Sequence, residues 1–181
     1  MLTLADASWR GDQVITWMYD CTPEEIGDHI AYLGSQDGWG ECLANVLRGA
    51  RALRRADIES VCYLGSMLTA FSELGSEGGS PFKSAVLYGR PKFRVCEVLP
   101  TLQRVQPLEG NSRRALERIE FFKAEDAQGE LQGEKLRVTV VIHGGEYVIK
   151  DGCKRAVAFY EGRKSLKSDS TVFPIWVITN R

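Results

Sequence analysis

The chain has 181 residues, 44% of them hydrophobic and 26% charged, enough to bury a substantial core in one large domain or two small ones. Its 23 basic residues nearly cancel its 24 acidic ones, so no global positive field draws it onto nucleic acid or an anionic membrane. The cysteines at positions 21, 42, 62, 96 and 153 are scattered without a C-x-x-C pair, which suggests neither a disulfide framework nor a zinc site. No apolar run reaches the roughly 18 residues of a membrane span, and no signal pattern opens the chain, so the cytoplasm is the expected compartment.

The first third reads as helical. Thr22-Pro23-Glu24-Glu25 is a capping box with proline at the first helical position, opening a helix through about Leu33 with Ile26, Ile30 and Leu33 on its buried face. After "GSQDGWG", Leu43, Val46, Leu47 and Ala50 recur at helical spacing up to the basic cluster Arg51, Arg54 and Arg55. Ile58, Val61, Cys62, Met67 and Leu68 continue that rhythm to about Leu74. Arg48, Arg51, Arg54 and Arg55 would form a basic stripe on such a helix, better read as a solvated face or a surface gripping the C-terminal domain than as a nucleic-acid footprint. "GSEGGSP", Gly75 to Pro81, is the best linker in the chain. Its continuation "FKS" does not complete a phosphate-binding P-loop, because Phe82 stands where glycine is needed.

Beyond the linker the pattern changes. "KFRVCEVL", Lys92 to Leu99, alternates like a strand that Pro100 ends, and "NSRRALERIEFFKAED" carries Ala115, Leu116, Ile119 and Phe122 on one helical face. "LRVTVVIHG" and "EYVIKDG" flank Gly144-Gly145 and read as a hairpin. "CKRAVAFYEGRK" reads as a helix, and "VFPIWVITN" as a closing strand. The expected fold is α+β: a helical N-terminal region over residues 1–80, then a mixed α/β domain over 81–181.

The turn "DGCKRA" joins a strand to a helix N-terminus, where unpaired amides and the helix dipole favour an anion. Gly152 would let a phosphate approach the backbone, and Lys154 and Arg155 add charge. The same field would acidify Cys153 if it faces solvent. The alternative is that Gly152 makes a tight turn, Cys153 is a small buried residue and both cations are solvated. His29 and His143, far apart in sequence, are read as structural or solvated, and Trp17, Trp39 and Trp176 as core or interface residues.

The segment "EYVIKDGCKRAVAFYEGRK...VFPIWVI" resembles the second signature of the ParB/sulfiredoxin superfamily, a strand leading to G-x-x-R at a helix start, then a helix and a strand. The resemblance covers about Lys92 to Arg181. Gly152, Cys153 and Arg155 match the G-C-H-R of sulfiredoxins, with Lys154 replacing the histidine. Gly152, Lys154 and Arg155 match the G-E-R-R of ParB partition proteins, the lysine loosely. Asp151, Gly152 and Arg155 match the D-G-x-x-R of free-serine kinases.

The resemblance implies a nucleotide, ATP or CTP with magnesium, held by its phosphates at Gly152, Lys154 and Arg155, with Arg113 as a further contact. It implies a phosphotransferase or NTPase in which Glu109 is the nearest candidate base and the acceptor is a small molecule or a protein. A sulfiredoxin-like thiol enzyme using Cys153 is the second reading, opposed by Lys154 and by the charge of Asp151. A non-catalytic module binding a protein or DNA is the third. Gly152 and Arg155 are shared by all three branches, whereas the cysteine belongs to one.

Overall fold

The computed structural model describes residues 15–36, 39–50, 53–58, 64–66, 93–104, 110–131, 135–143, 146–163 and 173–178. The elements in chain order are β1 (Ile15–Asp20), α1 (Pro23–Gly34), α2 (Trp39–Ala50), β2 (Leu53–Ile58), β3 (Gly65–Ser66), β4 (Phe93–Arg94), α3 (Val95–Arg104), α4 (Gly110–Ala127), β5 (Val138–His143), β6 (Glu146–Asp151), α5 (Cys153–Arg163) and β7 (Phe173–Ile178). The strands form one mixed sheet in the order β1-β2-β7-β5-β6-β3-β4. β5 runs parallel to β7, β6 parallel to β3, and the other neighbours are antiparallel.

Side-chain alternation along the strands sends successive residues to opposite faces, and each face has its own core. Leu53, Val141, Val148, Trp176 and Ile178 pack with Leu33, Leu43 and Leu47 of α1 and α2. Val138, Val140, Ile149, Ile175 and Val177 pack on the other face with Val98, Leu102, Ile119 and Val157 of α3, α4 and α5. The architecture is α+β, a helix–sheet–helix sandwich. Among the described residues no helix is long and apolar enough to cross a membrane.

The capping box at Thr22 is present in full. The Glu25 amide donates to Thr22 Oγ1 at 3.2 Å, and the Thr22 amide donates to Glu25 Oε2 at 2.8 Å. The β5–β6 hairpin, the α4 and α5 helices and the closing strand β7 also form where the sequence places them.

Two expectations need correcting. The N-terminal region is not purely helical, because β1, β2 and β3 lie within it and join the same sheet as β5, β6 and β7. Arg54 and Arg55 therefore sit on β2 and share no helical stripe with Arg48. The segment read as a strand from Lys92 is strand only at Phe93–Arg94 and turns into α3. Val95, Val98, Leu99 and Leu102 are all buried at helical spacing. Glu97 Oε2 accepts the Arg94 amide at 2.9 Å, reaching back three residues as a capping glutamate does. Pro100 sits inside this helix, at the expense of one backbone hydrogen bond. The linker Gly75 to Pro81 lies outside the described residues.

Candidate functional site

Strand pairing places five residues in one row across the sheet. Tyr19 on β1 opposes Arg55 on β2, Arg55 opposes Trp176 on β7, Trp176 opposes Thr139 on β5, and Thr139 opposes Asp151 on β6. α1 lies over this row and meets it with side chains one helical turn apart. Glu25 Oε1 accepts the Tyr19 hydroxyl at 2.9 Å. His29 stacks on Trp176 with 4.5 Å between centroids, and its Nε2 is 3.0 Å from Thr139 Oγ1. Tyr32 meets the guanidinium of Arg155 beside Asp151.

Guanidinium groups interleave with these rings. Arg55 Cζ lies 5.2 Å from the Trp176 centroid, and Arg137 Cζ lies 4.7 Å from that of Tyr32 and 5.4 Å from that of Trp176. Arg155 Cζ is 5.8 Å from the Tyr32 centroid. Cations over aromatic faces are attracted by the ring quadrupole. Trp176 is buried at 4% exposure, so it belongs to the core and offers no open face to a ligand.

The Asp151–Gly152 turn sits at the end of this row. Gly152 has φ +83°, a conformation open to glycine and strained for other residues. A Cβ there would lie 2.9 Å from the Arg137 carbonyl oxygen, 3.0 Å from Val138 Cγ2 and 3.1 Å from Arg155 Nη2. The glycine is therefore needed twice, for the turn and for the close approach of its neighbours. Its carbonyl accepts the Ala156 amide at 2.9 Å, which begins α5.

Arg155 folds back across that turn. Nη2 donates to Asp151 Oδ2 at 2.8 Å, and Nη1 donates to the Tyr32 hydroxyl and, at 3.4 Å, to the Lys135 carbonyl. The ion pair is largely enclosed, with the Arg155 side chain 12% and that of Asp151 19% exposed. Burial raises the Asp151 carboxyl above its ordinary range, although Arg155 pulls the other way. Burial also holds His29 neutral, its pKa pushed down to about 3, with the positive fields of Arg137 and Arg155 adding to the effect.

The structure thus brings Asp151, Gly152, Cys153, Lys154 and Arg155 together at one turn. Cys153 is half-buried and packs against the apolar cluster shared by α3, α4 and α5. Arg113 lies in the first turn of α4, 68% exposed, where Nε is 3.5 Å from Glu117 Oε1. It is directed along its own helix surface. Glu109 lies outside the described residues. No group of three or more His, Cys, Asp or Glu side chains that could hold a metal occurs among the described residues.

Sequence reasoning missed the residues around the turn. No motif in the sequence singles out Tyr32, Arg137 or Thr139, whereas the expectation of a structural or solvated His29 is met on its structural side, the ring being fully buried against Trp176. The Glu25, His29, Tyr32 spacing of i, i+4, i+7 was the available signal, polar groups beside an apolar helical face. Lys150 also escaped notice. The β5–β6 register breaks between Thr139 and Val140, which leaves Lys150 as the extra residue of a bulge next to the turn. The lysine is buried at 6% exposure, and burial pushes its pKa down to about 8. Comparison with protein-family models, curated proteins and solved structures gives no match to this chain.

Proposed function

We propose that the chain binds a nucleotide by its phosphates at the turn from Asp151 to Arg155, and that it serves as an ATP- or CTP-dependent phosphotransferase or NTPase. The observation that carries this reading is the guanidinium of Arg155, held across a positive-φ glycine at the N-terminus of α5. A helix N-terminus supplies unpaired amides and a positive dipole end, and an arginine fork adds paired donors for phosphate oxygens. Lys154 stands in the same first turn and contributes a second cation.

Two further points support it. The G-x-x-R residues that resemble the ParB/sulfiredoxin superfamily are those gathered at the turn, within a strand–turn–helix–strand unit. The packing of Cys153 against an apolar cluster favours a role as a small turn residue over nucleophilic work. The residues at the turn suit phosphate oxygens better than a metal of their own, because the Asp151 carboxylate is bound to Arg155. Magnesium on this reading arrives with the nucleotide.

A thermal-shift and hydrolysis panel tests the proposal. ATP, ADP and CTP with magnesium are expected to raise the melting temperature of the wild type, and the shift is expected to vanish in Arg155→Ala. Unchanged melting with every nucleotide would sink the reading.

A further inference from the structure

We infer that Tyr32 is a positioning residue for Arg155, so that helix α1, from the opposite face of the sheet, sets the geometry of the anion site. The inference rests on the phosphate reading proposed above. A guanidinium carries five N–H donors. Tyr32 and the Lys135 carbonyl take those of Nη1, and Asp151 takes one of Nη2. Among the described residues these are the contacts of the guanidinium, and on the phosphate reading its Nε–H and second Nη2–H are the donors offered to an oxyanion.

Anchors on both terminal nitrogens fix the plane of the group. Asp151 lies on the chain just before Gly152, whereas Tyr32 is 123 positions away and reaches in from α1. The Tyr32 ring is itself held, 6.0 Å from the His29 ring at 28° and 4.7 Å from Arg137 Cζ. Its hydroxyl is thus a fixed acceptor rather than a rotating one. Without it, Nη1 keeps only the 3.4 Å contact to the Lys135 carbonyl, and Asp151 is left as the main constraint. A fork whose orientation is fixed beforehand binds a tetrahedral anion at lower entropic cost than one that must be ordered on binding.

The test uses the full chain titrated with magnesium-ATP and magnesium-CTP, comparing wild type, Tyr32→Phe, Arg155→Ala, Arg155→Lys and the Tyr32→Phe/Arg155→Ala double variant. Tyr32→Phe keeps the ring on which Arg137 and His29 rest and removes only the hydroxyl. It is expected to weaken nucleotide binding roughly tenfold, the scale of one hydrogen bond to a charged group. In the double variant the Tyr32 change is expected to add nothing to the loss caused by Arg155→Ala, an outcome that a general loss of stability would not produce. Wild-type affinity in Tyr32→Phe, with affinity lost in Arg155→Ala, would overturn the role of Tyr32 and leave the phosphate reading standing. Absence of binding by the wild type would overturn both. If Tyr32→Phe does not fold, Arg155→Lys carries the test. It keeps the charge but loses the planar fork, so full affinity in that variant would show that orientation is irrelevant and would overturn the inference.

Discussion

His29 and Trp176 lie face to face, with 4.5 Å between ring centroids and 16° between planes, while His29 Nε2 meets Thr139 Oγ1 at 3.0 Å. The imidazole is completely enclosed, and its Nδ1 has no hydrogen-bond partner among the described residues. A positive charge on His29 would be buried and would face those of Arg137 and Arg155. The ring that fastens α1 to the sheet is therefore also a group that resists protonation.

Acid stability follows from that resistance. The ordinary histidine pKa of 6.5 falls to about 3 in the fold. As pH drops below 6.5 the unfolded chain takes up a proton that the folded chain refuses until about pH 3. The contribution is complete above that window and is lost on descending through it, on the order of 3 kcal/mol by pH 4. Urea denaturation of wild type and His29→Gln at pH 7, 5 and 4 is the check. The variant is expected to be less stable at pH 7 but to show a flatter acid slope. Equal slopes would contradict the assignment.

Gly152→Ala is expected to cost about 2–3 kcal/mol, because alanine is strained at positive φ and its Cβ would crowd the Arg137 carbonyl. The same Cβ would press on Arg155 Nη2. Denaturant midpoints measure the stability loss, and nucleotide titration should show a parallel loss of affinity. A stable Gly152→Ala protein with intact binding would mean that the turn tolerates a side chain.

Lys150 is expected to make stability depend on pH in the alkaline range. Its pKa falls from 10.5 to about 8, so between those values the unfolded chain binds a proton that the folded chain does not. Stability should rise as pH increases across that interval and be flat below it. Lys150→Met is expected to remove that alkaline rise. Thermal unfolding of wild type and variant at pH 7 and pH 10 tests this, and an equal rise in both proteins would contradict it.

The sequence was informative where structure is local. The capping box at Thr22, the hairpin from β5 to β6 and the Asp151–Gly152 turn each depend on a few adjacent residues, and each forms as read. β2 was hidden because Leu53–Ile58 carries two arginines and follows a helix with little break, so its β character comes from pairing with β1 and β7. α3 is ambiguous in sequence because "FRVCEVL" fits both periods, and Pro100, which suggests a strand end, is accommodated inside the helix. The row from Tyr19 to Asp151 joins residues from five strands, and no local pattern reports which strands become neighbours. Arg155 could be singled out by its motif. Its anchorage to Tyr32 required the fold.

On the phosphate-binding proposal, Arg155 is the residue that grips the phosphate oxygens at the turn. Calorimetric titration of the wild type and Arg155→Ala with magnesium-ATP and magnesium-CTP, at matched low ionic strength, tests it most directly. Saturable binding of at least one nucleotide by the wild type is expected, with at least a tenfold loss in the variant, the scale of a charge-assisted contact. No saturable heat from the wild type, or the same affinity in both proteins, would contradict it.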